Sequence, residues 1–179
     1  AQITVNLIDL LPPTTISINQ SFCAGNLATL ADIQINESGA IFYDSLLGGL
    51  LLDITTPLVD GGVYFAANVG LGCESTIRLE IIVTIIDTPP ATTLNTSQTF
   101  CIEENAVVSD IQVNEPNVVF YDSETGGTML NPSDALVDGD VYYAANVESG
   151  CESTTRLAIT ATIIDTPPAT TLNTSQAFC

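Results

Sequence analysis

Leu79-Glu80-Ile81-Ile82-Val83-Thr84-Ile85 and, 78 residues later, Leu157-Ala158-Ile159-Thr160-Ala161-Thr162-Ile163 decide the fold class. Successive side chains of a β-strand point to opposite faces. The first stretch therefore lines one face with Leu79, Ile81, Val83 and Ile85. The second alternates more cleanly and turns Leu157, Ile159 and Ile163 inward. Upstream, Val63-Tyr64-Phe65-Ala66-Ala67-Asn68-Val69 predicts a partner strand, joined through Gly70-Leu71-Gly72 in a hairpin capped by Cys73. Asp32-Ile33-Gln34-Ile35 and Ala40-Ile41-Phe42-Tyr43 predict two more strands. Gly48-Gly49 and Gly126-Gly127 turn into short strands at 50–52 and 128–130, and Asp60-Gly61 and Asp138-Gly139 make the next turn. With an opening strand at 14–19, each unit has six or seven strands and almost no helical signal. That is an all-β, immunoglobulin-like sandwich, with Phe42 and Phe120 where the fold's tryptophan would stand.

The same unit occurs more than once. Residues 10–87 align onto 88–165 without a gap, with about half the positions identical. Residues 1–9 match 79–87, the last strand of a preceding repeat, and 166–179 match 88–101, the start of a following one. The expected organisation is a tandem array, linked through Thr88-Pro89-Pro90 and extended as a semi-rigid rod.

Cysteines keep the period: Phe22-Cys23, Phe100-Cys101 and Phe178-Cys179 on one side, Cys73 and Cys151 on the other. Two pairings that preserve it are Cys23–Cys73 with Cys101–Cys151, and Cys73–Cys101 across the boundary. The first uses all four cysteines of the complete repeats and leaves Cys179 unpaired by truncation, so the expectation is one disulfide per repeat. Each would close a loop of roughly 50 residues, contributing about 4 kcal/mol, in an oxidising compartment. No histidine is present to complete a zinc site.

The chain carries 21 acidic residues against two arginines, a net charge of −19. The first repeat has eight acids and Arg78, the second twelve and Arg156. Such a surface excludes nucleic acid and anionic lipid as electrostatic partners. General acid–base or nucleophilic catalysis has little to work with, lacking histidine and lysine, and the expected class is non-enzymatic.

The order Phe-Cys, Phe-Tyr-Asp-Ser with Gly-Gly, Leu-Val-Asp-Gly, Val-Tyr-Tyr-Ala, Gly-Cys-Glu-Ser with Arg, and a closing Thr-Ile-Ile strand resembles the immunoglobulin-like repeats of very large secreted surface adhesins of gliding Bacteroidetes. The resemblance covers essentially the whole chain. It implies type IX secretion, display at the cell surface, and a fibre whose shaft is made of these repeats. Their partners are neighbouring repeats of the same chain, with polysaccharide or substratum met through other regions. A carbohydrate-binding array and a spacer within an exported enzyme are the alternatives.

Few residues stand out as sites. Arg78 and Arg156 occupy the same position in each repeat, which suits a structural ion pair with Glu74 or Glu152 better than contact with an acidic sugar. Tyr43, Tyr64, Tyr121, Tyr142 and Tyr143 are candidates for sugar stacking, though such residues usually pack half-buried. No cofactor is specified. Calcium, which takes six to eight oxygens, would have to use Asp87, Asp138, Asp140 or Asp165, yet Asp140 is replaced by Gly62 in the first copy. Asp44-Ser45-Leu46 resembles the O-glycosylation motif of Bacteroidetes, making Ser45 a candidate glycan site.

Overall fold

A computed structural model describes residues 9–166. These divide into two compact units: 9–89 with Glu148–Thr154, and Pro90–Val147 with 155–166. Strands and short 3-10 turns make up the regular structure of both.

The first unit's sheet is built from β1 (Asn19–Cys23), β2 (Ile41–Tyr43), β3 (Leu51–Leu52) and β4 (Val63–Ala67). A small hairpin of β5 (Val69–Gly70) and β6 (Cys73–Glu74) follows, then β7 (Leu79–Ile86). The sheet order is β1-β7-β4-β2-β3. β1 runs parallel to β7, from Asn19 opposite Ile82 to Cys23 opposite Ile86, and the other pairs are antiparallel. The β5–β6 turn holds Leu71 and Gly72 at φ 52° and 80°, the double positive φ that a two-residue hairpin loop requires.

One face of this sheet contributes Phe42, Tyr64, Ala66, Ile81 and Val83 to the core. Opposite them lie Ala28, Leu30, Ile33 and Leu58, held by Leu30 N–H to the Thr56 carbonyl (3.0 Å), Leu58 N–H to the Ala28 carbonyl (2.9 Å) and a bridge between Thr29 and Pro57. The sandwich therefore has one regular sheet and one layer of turns and bridges. Ile81, Val83 and Leu30 are fully buried, each contributing about 1.5–3 kcal/mol through the area removed from water.

Two sequence expectations change here. The strand expected at 32–35 is a 3-10 turn, Leu30–Asp32, followed by extended chain. The Asp32 carboxylate accepts the Thr29 amide at 2.7 Å and closes that turn. Ile33 still faces the core, so the apolar alternation was sound while the ladder was not. The opening strand expected at 14–19 begins at Asn19 instead. Thr14 and Thr15 are tied laterally, to Glu37 and to the Gln34 carbonyl.

The second unit repeats the plan with β8 (Ser97–Cys101), β9 (Val118–Tyr121), β10 (Val141–Glu148), β11 (Cys151–Glu152) and β12 (Leu157–Ile164). The order is β11-β10-β12-β8, with β9 also paired to β10, and β8 is parallel to β12. Its core gathers Val108, Ile111, Phe120, Tyr142, Ala144 and Ile159, so Phe42 and Phe120 hold equivalent core positions. The short strand expected at 128–130 reduces to a bridge between Tyr121 and Met129.

Candidate functional site

The cysteines correct the sequence reading most. Cys23 is bonded to Cys151, 128 residues away, with Cα atoms 5.3 Å apart. Cys73 is an exposed free thiol and Cys101 a half-buried one. The expected pairs Cys23–Cys73 and Cys101–Cys151 are not formed.

The register explains why. Cys23 opposes Ile86 at the far end of β7. Cys73 sits in the hairpin that continues past Ala66, which opposes Leu79 at the near end. Seven residues of strand separate those ends, about 23 Å at ~3.3 Å per residue, whereas a disulfide needs Cα atoms within about 7 Å. The second repeat has the same polarity, with Cys101 opposite Ile164 and Cys151 beyond Leu157. A spacing of 50 residues in sequence hides two opposite poles in space. Cys179 lies outside the described residues.

Cys151 is 3% exposed. Its carbonyl accepts the hydroxyl of Thr88, itself buried, at 3.1 Å. The methyl of Thr154 lies 3.7 Å from where a side chain on Gly25 would begin. The segment Glu148–Thr154 thus belongs to the first unit by bond, by hydrogen bond and by packing.

The two arginines are loop locks. The Nη1 of Arg78 donates to the carbonyls of Ser45 and Gly48, both at 2.6 Å, and its guanidinium lies 3.3 Å from the centre of the Tyr43 ring. Arg156 does the same to Ser123 and Gly126 at 2.7 Å, and to the Tyr121 ring at 3.4 Å. The expected link from Arg78 to Glu74 takes an indirect form. Tyr43 donates its hydroxyl to Glu74 at 2.7 Å, which holds the phenol above its usual range, while Arg78 stacks on the same ring. Asp44 accepts the Leu50 amide across the loop at 2.8 Å, and Asp122 accepts that of Thr128 at 2.8 Å. A side chain at Gly49 would run into the Asp44 carboxylate, and its φ of 77° also favours glycine.

The other nominated residues are distributed rather than gathered. Tyr64 and Tyr142 are buried, their hydroxyls accepting the amides of Val59 (3.2 Å) and Val137 (2.9 Å). Asp138 accepts the Ile163 amide at 2.8 Å, as Asp60 does that of Ile85 at 2.9 Å. Asp87, Asp140 and Asp165 are exposed. Among the described residues no group of three or more His, Cys, Asp or Glu side chains is placed to hold a metal ion. Ser45 is half-exposed, with its hydroxyl donating to Asp44 at 3.1 Å.

Two locks escaped the sequence reading. Gln20, buried, accepts the Gln34 amide at 2.8 Å and donates to the Gln34 carbonyl at 2.9 Å, so its side-chain amide replaces a neighbouring strand. Gln98 holds Gln112 in the same way, at 2.8 and 2.7 Å. Glu37 accepts both the amide and the hydroxyl of Thr14 (2.7 and 2.8 Å), Glu115 those of Thr92 (2.7 and 2.6 Å). These bonds hold both carboxyls below the ordinary glutamate range, chiefly through the Thr14 amide for Glu37 and the Thr92 hydroxyl for Glu115. Their signal was available, because each is a polar residue unchanged between two half-diverged copies.

Residues 89–164 match the family model described as Ig-like domain, CHU_C associated. Among solved structures, the N-terminal four Ig domains of Dscam1 isoform 9.44 (with zinc) are 13% identical, with a TM-score of 0.28, over 85% of this chain and 46% of that one. The same region of isoform 4.44 is 15% identical, with a TM-score of 0.26, over 84% and 45%. The chain spans under half the length of either. No curated protein matches.

Proposed function

We propose that these repeats are the load-bearing shaft of a large secreted cell-surface adhesin, of the kind that serves gliding motility and attachment, with the gliding adhesin SprB as the nearest suggestion. The immunoglobulin-like fold is one that is generally non-catalytic, and the Ig-like match to the second repeat suits a spacer or repeat role. One observation carries the reading furthest. The polar residues kept in both copies (Gln20 and Gln98, Arg78 and Arg156, Asp60 and Asp138, Glu37 and Glu115) spend their hydrogen bonds on their own repeat. Groups retained to meet a ligand would instead be held pointing outward. On this reading the protein acts outside the cell, where an oxidising milieu sustains the Cys23–Cys151 bond. The acidic surface then keeps neighbouring fibres apart.

Single-molecule stretching of the 179-residue chain tests the mechanical role. Oxidised chain should withhold the segment enclosed by the bridge, and reduction should release roughly 40 nm of additional extension at ~3.4 Å per residue. Unfolding at forces no higher than those of an unstructured chain would refute a load-bearing shaft. Glycan-array screening of the same protein separates the alternative: saturable binding of an oligosaccharide would favour a carbohydrate-binding array.

A further inference from the structure

The bridge that forms and the two thiols that do not are related by the repeat. Cys101 stands 78 residues after Cys23, and Cys73 stands 78 before Cys151. Each free thiol is therefore the positional equivalent of one partner in the observed bond. Within a repeat the two cysteines lie at opposite ends of the long strand, beyond disulfide reach of each other. What can reach the Phe-Cys end of one repeat is the Gly-Cys turn of the next, as Cys151 reaches Cys23.

We propose that Cys101 and Cys73 are joint-closing thiols, whose partners are the complementary cysteines of further copies of this repeat. A tandem array then carries one covalent bridge across every joint, always from the Phe-Cys of one repeat to the Gly-Cys of its successor. The environments agree with this assignment. The bonded Cys151 is buried, while the equivalent Cys73 is exposed and free to be covered. Each bond forms by two successive thiol–disulfide exchanges with a small-molecule or protein disulfide oxidant. A cysteine thiolate attacks the oxidant to give a mixed disulfide, and the second thiolate displaces the remaining oxidant sulfur. The two thiols together lose two protons and two electrons, and the oxidant leaves as two thiols. Such bridges make unfolding of one repeat a local event, since the joint on either side stays closed. The inference stands on the observed bond and the period, and is independent of what the array attaches to.

The test lengthens the intact chain by a further copy of residues 88–165, inserted after 165 and marked by one exposed substitution so that its peptides are distinguishable. It is folded in glutathione disulfide and mapped without reduction. The expected result is two bridges, Cys23–Cys151 and Cys101 to the second cysteine of the added copy, with Cys73 and the first cysteine of the added copy left as free thiols. Alkylated Cys101, or Cys101 bonded to Cys151, overturns the proposal. Should the longer chain fail to fold, Cys23→Ser in the unaltered chain decides. All four remaining cysteines should then titrate as free thiols, because Cys151 has lost its partner. A count of two, meaning that an alternative bridge has formed, refutes the segregation on which the proposal rests.

Discussion

The Gly-Cys turn occurs twice, as Leu71-Gly72-Cys73 and as Ser149-Gly150-Cys151, with the same pair of positive φ angles, 52° and 80° against 51° and 80°. One cysteine is exposed and free, while the other is buried and bonded to Cys23. Identical local geometry has produced opposite chemistry, so the difference comes from what each turn meets. The polar locks show the reverse. Gln20 and Gln98, or Arg78 and Arg156, differ in their hydrogen-bond lengths by a few tenths of an ångström or less, even though the flanking sequence has drifted. Leu46, Leu47 and Leu50 in the first arginine-locked loop are Glu124, Thr125 and Thr128 in the second. Locks define the repeat, loop surfaces vary freely, and the cysteines answer to the neighbour.

Breaking the bridge should produce the largest effect and make the two turns alike. A closed loop of 128 residues contributes about 4–5 kcal/mol in the chain-entropy model. Cys23→Ser, or reduction, should therefore shift the urea midpoint strongly downward and leave Cys151 as reactive to maleimide as Cys73. An unchanged midpoint would mean the bond is incidental to folding.

Core truncation comes next and should treat the repeats equally. Ile81 and Ile159 are both fully buried at matching positions. Ile81→Ala and Ile159→Ala should each cost about 2–5 kcal/mol, measured by urea unfolding. Costs differing by more than about 2 kcal/mol would show that the two cores are not equivalent.

The inner faces of β7 and β12 were legible in the sequence because burial imposes a period of two on them. The opposing layer at 32–35 reads as a strand because Ile33 and Ile35 alternate as one would, although the main chain of Gln34 between them is satisfied by the Gln20 side chain and not by a ladder. Local pattern reports which side chains go in, and it is silent on what pairs with the main chain. The disulfide was missed for a similar reason. The period allowed a third pairing, 128 residues apart, that becomes visible only once the register places Cys23 and Cys73 at opposite poles.

The arginine locks should follow in size. Arg78→Ala removes two charge-assisted bonds and a ring contact, for about 1.5–3 kcal/mol, and Arg156→Ala should match it. Lysine should not restore either, because its ammonium cannot lie flat on the tyrosine while holding two carbonyls. Full rescue by lysine would reduce the lock to simple charge.

The smallest effect is a pH dependence shared by the two repeats. Glu37 and Glu115 are held below the ordinary value of 4.5 by bonds that only the ionised carboxylate accepts in full. A folded-state pKa below the unfolded one adds stability that is present above about pH 4.5 and is lost as pH falls through the folded value. Acidification also relieves repulsion within a chain of net charge −19, which works in the opposite direction, so the total stability of the native protein is a poor readout. The informative quantity is the gap between native protein and Glu37→Gln, or Glu115→Gln. It should be constant from pH 7 to about pH 5 and close below the folded pKa, over a similar interval for both, since each carboxylate meets one threonine amide and one hydroxyl. A gap that persists unchanged at pH 3 would mean that the glutamates hold the threonines by shape and not by charge.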